Sequence, residues 1–218
     1  MSKFTENQLL EAGKVLCDQN RPLKERFRAL FALKDATKVD PDKSDLIVQL
    51  MYKGLDKSEP SALLKHEIAY CLGQSGCPEA VPLLETVLSD ESRETIVRHE
   101  AGEALGAIGN KDSLPLLSKL AKEDPVREVK DTCELAVGRI EWLHGGQAEK
   151  EKEKLSANPY CSVDPAPPAI ESNTATLLIT LMDENLALFE RYRAMFALRN
   201  KGDSESIKAL AKGNMTFD

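Results

Sequence analysis

Two histidines, each followed by a glutamate, carry the clearest chemistry in this chain. His66-Glu67 lies in KHEIAYCLGQSG (65–76) and His99-Glu100 in RHEAGEALGAIG (98–109). Imidazole nitrogens with carboxylate oxygens suit non-haem iron and also accept zinc or manganese. The zinc-protease spacing H-E-x-x-H is absent, because Ala69-Tyr70 and Gly102-Glu103 stand where its second histidine would fall. A lone histidine near a helix start is commonly just a satisfied polar residue. Two in one register, in a chain with three histidines, point instead to a shared site. Neighbouring residues on a helix diverge by about 100°. One glutamate can therefore ligate while another faces the cavity as base, acceptor or amine partner, and Glu67 and Glu100 are candidates for both roles.

The elements that would position these pairs are repeats. Between 65–76 and 98–109, Leu72 falls on Leu105, Gly73 on Gly106 and Gly76 on Gly109. DTCELAVGRI (131–140) continues the pattern one unit further on, and RFRALFAL (26–33) occupies the same slot one unit earlier. Each unit pairs an outer helix, with apolar residues such as Val81, Leu84 and Leu88 at helical spacing, with an inner helix after a Pro, Ser or Asp break. No unit buries its stripe alone, so four hairpins stack into a HEAT-like all-α solenoid. Ala69, Gly73, Ala101, Gly102 and Gly106 are small enough for inner helices to approach closely. The inner helices of the second and third hairpins are expected to start within two residues of Lys65 and Arg98. Helices roughly 8–10 Å apart would then bring both imidazoles and a carboxylate together on one concave face.

The repeat array spans residues 1–143. Residues 144–170 are charged and then Pro-rich, which reads as an exposed, poorly ordered linker, with His144 solvated and Glu149–Lys154 a frayed helix end. From 171 to 218 the first repeat returns, since ERYRAMFALRN (190–200) lies over ERFRALFALKD (25–35). This second array reads as incomplete, its lone hairpin exposing apolar surface.

Composition excludes several classes. A net charge of -7 and 5% aromatic residues argue against a nucleic-acid surface and against a β-sandwich. Five cysteines without a C-x-x-C read as reduced thiols, and no signal or membrane-spanning run is present in the sequence. A cytoplasmic protein with neither nucleic-acid nor membrane partners is expected.

KHEIAYCLGQ, VRHEAGEALGAIG, NPYCSVDPAPP and ERYRAMFALRN together resemble deoxyhypusine hydroxylase, over about Leu23 to Gly213. The resemblance implies two four-repeat halves facing each other across a di-iron (Fe2+) centre. It also implies a monooxygenase that uses dioxygen to hydroxylate the deoxyhypusine side chain of a translation initiation factor, completing hypusine. The matching ligand positions are His66, Glu67, His99 and Glu100. That family has four His-Glu motifs and this chain two, so the chain is expected to be truncated in its C-terminal half and weak in activity alone. A monomer is expected in preference to a homodimer, because residues 171–218 occupy the place where a second copy would dock. The competing reading is a non-catalytic HEAT-repeat scaffold, which has no need for two His-Glu pairs in register.

Overall fold

The computed structural model describes residues 4–214. Within them, four antiparallel hairpins follow one another: α1 (Glu6–Cys17) with α2 (Leu23–Val39), α3 (Ser44–Lys53) with α4 (Ala62–Ser75), α5 (Val81–Ser89) with α6 (Thr95–Ile108), and α7 (Leu114–Glu123) with α8 (Arg127–His144). A short α9 (Gln147–Glu151) and an irregular strap lead to a fifth hairpin, α10 (Thr174–Met182) with α11 (Leu188–Lys201), and then α12 (Ser204–Asn214). No strand occurs among the described residues, and none of their helices is long and apolar enough to cross a membrane.

Each hairpin turns on an aspartate. The carboxylates of Asp18, Asp56, Asp90, Asp124 and Asp183 each accept the backbone N–H two residues on, at 2.8–3.2 Å. This side-chain turn ends the outer helix and reverses the chain. An arginine ten residues after the outer helix's last leucine then ties the two helices. Arg26, Arg98 and Arg191 donate Nε to the carbonyls of Leu16, Leu88 and Leu181 at 2.8, 2.9 and 3.0 Å. Arg26 also pairs with Glu59, and Arg98 with Asp124, all four side chains being almost wholly buried.

The inner helices α4, α6 and α8 lie side by side, and glycine sets their spacing. A Cβ on Gly73 would sit 2.6 Å from Ala104 Cα, and one on Gly106 2.9 Å from Ala136 Cα. At the equivalent Gly138 it would sit 2.7 Å from Phe189 Cγ, so α11 continues the row beside α8. One continuous apolar core runs from Leu9 to Ile140. A smaller one lies around Leu177, Leu181 and Leu198, and the cluster of Leu135, Trp142, Ala166, Phe189 and Phe196 packs between them.

Three local expectations need correction. The second and third inner helices start at Ala62 and Thr95, three residues before Lys65 and Arg98, although the repeat register holds. Ser61 caps α4 by accepting the Leu64 N–H at 3.1 Å, which fixes the earlier start. The 162–168 end of the linker is also not an exposed tether, although most residues from 144 to 161 are exposed. Ala166, Pro167 and Pro168 are buried, and Gln74 grips Val163 through two hydrogen bonds, Nε2–H to its carbonyl (2.9 Å) and its N–H to Oε1 (2.7 Å). Asp164 forms a bidentate pair with Arg199 at 2.7 and 2.9 Å, and Asn158 bridges both. Glu151, expected in a frayed end, receives Trp142 Nε1–H at 2.9 Å and Arg193 at 2.6 Å. His144 is exposed as expected, with Nε2 at 2.8 Å from the Gly109 carbonyl. The second array does expose apolar side chains as expected, with Ile179 on α10 70% and Ile207 on α12 58% accessible.

Candidate metal centre

The second and third inner helices bring their His-Glu pairs together, as the repeat register requires. His66 Nε2 on α4 lies 3.0 Å from Glu100 Oε2 on α6. His99, Glu100 and Glu103, all on α6, place one ligand atom each within 4.8 Å of one another. Gly73 against Ala104 is what makes this convergence possible, because any larger pair would hold the two helices apart.

The hydrogen bonds around the imidazoles bear on which nitrogens are free. His99 Nδ1 lies 3.2 Å from the Glu128 carbonyl of α8. A carbonyl only accepts, so Nδ1 is the donor of this contact, which turns Nε2 toward Glu103 at 3.8 Å. At His66 the outer nitrogen is unusual. Nδ1 is buried without a hydrogen-bond partner, and the Glu67 carboxylate stands 3.3 Å away in poor geometry. The two glutamates therefore flank opposite nitrogens of one ring, Glu100 at Nε2 and Glu67 at Nδ1.

Electrostatics follow from this crowding. The hydrogen bond to Glu100 lifts the His66 imidazole above its ordinary value against the opposing effect of burial, and the charges of Glu100 and Glu67 add to it. Glu103 is pushed up to about 7, first by burial and then by the neighbouring Glu100 charge. A crevice lined by Glu103, Thr132, Ala136 and Pro165 places the strap against it. Two imidazoles and three carboxylates with so few neutralising partners form a site that favours a cation.

Sequence reasoning identified His66, Glu67, His99 and Glu100 but passed over Glu103. The signal was present, since Glu103 lies four residues after His99 and so on the same helix face.

Comparison with known proteins accounts for this arrangement. Residues 48–138 match the HEAT-repeat family. The chain is 52% identical over 211 residues to deoxyhypusine hydroxylase of Rattus norvegicus and 50% over 210 residues to that of Danio rerio, covering 96% and 95% of this chain and 65% of each relative. The solved structure of human deoxyhypusine hydroxylase in complex with glycerol superposes with a TM-score of 0.84 at 46% identity, over 98% of this chain and 69% of that one. The chain belongs to the deoxyhypusine hydroxylase family. It spans about two thirds of the length of the curated family members it matches. Two pieces the sequence pointed to as typical of deoxyhypusine hydroxylase, the KHE/RHE repeats and the NPYCSVDPAPP strap, meet in this structure through Gln74 and Val163.

Proposed function

We propose that this chain supplies one metal-binding array of a deoxyhypusine hydroxylase, an iron-dependent monooxygenase acting in the cytoplasm. Its substrate is the deoxyhypusine side chain of a translation initiation factor and its oxidant dioxygen. The observation that carries the reading is the 3.0 Å approach of His66 Nε2 to Glu100, with His99 Nδ1 turned to the Glu128 carbonyl and Nε2 toward Glu103. The partnerless Nδ1 of His66 and the close carboxylates fit a bound cation better than an empty structural face.

In this reading His66, His99 and Glu100 would hold the metal, supported by the contact of His66 with Glu100 and by the grouping of His99 with Glu100 and Glu103. An iron bound there would supply the redox chemistry that dioxygen activation needs. Glu67, 3.3 Å from the other nitrogen of His66 but not hydrogen-bonded to it, offers negative charge to the protonated amines of the substrate. Glu103 adds a further carboxylate beside His99. The Glu128 carbonyl orients the His99 ring, and Gly73 keeps α4 and α6 at ligating distance. In the family reading the complete enzyme takes its second iron from two further His-Glu motifs, so this chain contributes ligands for one. It works as a monomer that meets that second array rather than as a symmetric dimer.

The test measures iron content and hydroxylated product for this chain alone, and then with a separately produced array carrying the other two motifs. One iron per chain and turnover restored by the added array are expected, both lost in His66→Ala or His99→Ala. Full turnover by the monomeric chain alone, or metal binding indifferent to both substitutions, would overturn the proposal.

A further inference from the structure

Leu63 and Ile96 are exposed aliphatic side chains, 55% and 48% accessible, at the same position of successive repeats. Each lies three residues before its histidine and four before its glutamate, hence one turn toward the helix N-terminus on the same face. The repeat register sets this position against the other inner helices. It is Lys24 in α2 and Glu128 in α8, both polar and exposed. In α11 it is Phe189, which is buried against Gly138. Aliphatic residues thus stand uncovered here only in the two helices that carry His-Glu pairs.

We propose that Leu63 and Ile96 form an apolar ledge beside the metal centre. It receives the polypeptide flanking a lysine-derived cationic side chain, so that a protein loop, rather than a free amine, is recognised. This rests on the proposed function and adds a docking surface to it. Charge complementarity selects the occupant. Glu67, partly exposed beside His66, offers negative charge to the cationic chain, and an aliphatic ledge one turn away matches the apolar surface of the backbone and side chains next to it. A free aliphatic amine reaches this charge without covering the ledge, whereas a folded protein covers both. Burying two half-exposed aliphatic side chains then accounts for about tenfold or more in affinity.

The experiment uses Leu63→Ser and Ile96→Ser, singly and together. Both positions are exposed, so the fold is retained, and thermal midpoint and Co2+ affinity serve as controls. Binding is measured to the initiation factor carrying deoxyhypusine and to a free linear aliphatic diamine. The double variant should bind the factor about tenfold more weakly or worse, with diamine and Co2+ affinities unchanged. An unchanged affinity for the factor overturns the ledge. So does an effect seen only on self-association, or only on binding of a separately produced C-terminal array. Wild-type chain that binds diamine but not the factor overturns the ledge alone. Wild-type chain that binds neither overturns the hydroxylase reading with it.

Discussion

Replacing Arg98 by Met isolates the interaction that anchors the helix beneath His99. Arg98 is 2% exposed and Asp124 is equally buried. The guanidinium makes Nη1–H···Oδ1 at 3.2 Å, a second bond to Oδ2, and Nε–H to the Leu88 carbonyl at 2.9 Å. Methionine fills similar volume but leaves Asp124 as a buried unpaired charge and the Leu88 carbonyl without its donor. Breaking a buried pair this way costs about 3–5 kcal/mol. The Val126 N–H still reaches Asp124 at 3.0 Å, which favours the lower end of that range. The sign of the pH dependence tests the cause. In the wild type, burial pushes the Asp124 carboxyl up, but hydrogen bonds from Arg98 and Val126 outweigh it and hold it below its ordinary value. Its contribution is then present above pH ~3.9 and lost as pH falls through the lower folded value. Without Arg98 the folded carboxyl rises instead, so the Met variant's penalty is largest at neutral pH and shrinks as pH falls toward about 4. Urea unfolding at several pH values reads both effects through the midpoint at constant slope. In Arg98→Met/Asp124→Leu most of the loss should return. A single-variant loss below about 1 kcal/mol, or one that grows on acidification, refutes the reasoning.

Other outcomes follow from the same structure. Gly106→Ala should cost about 1–3 kcal/mol despite the helix-propensity gain, because its Cβ meets the Ala136 backbone at 2.9 Å; thermal unfolding checks it. His99→Ala should lower Co2+ affinity at least 10-fold while moving stability by less than about 1 kcal/mol, read by calorimetry and melting together. Co2+ affinity should fall on acidification, starting above the ordinary imidazole range, since a protonated imidazole no longer ligates and His66 is held above its ordinary value. Gln74→Ala should free the strap, giving several-fold faster protease cleavage between 152 and 165 with the core hairpins intact.

What could be read in advance was whatever the repeat copies. The repeat register placed His66 and His99 on facing helices because Gly73 and Gly106 recur with them, and the structure finds those glycines at the helix contacts. The family resemblance rested on the same copied residues. What escaped depends on pairings that no local pattern encodes. Glu103 becomes significant only with Glu100 and the crevice around it. The strap's composition suggested a tether, but its order comes from Gln74, 89 residues away. The early start of α4 follows from the Ser61 cap, while α6 starts at Thr95 without a side-chain cap. The arginine-to-leucine-carbonyl ties were visible as recurrent residues only once the turns were known.

The Gln74 clasp has a consequence for how the array comes apart. A simple solenoid is a line of neighbours, and its ends can fray one unit at a time. Here Val163 is fastened back to α4 while α11 stacks on α8, so the third and fourth hairpins are enclosed in a closed circuit of contacts. Unravelling from the α12 end therefore meets a stop at the strap, and the hairpins inside the circuit open together rather than in sequence. The closure also adds long-range contacts to an otherwise local topology, which slows folding relative to an open stack of the same helices.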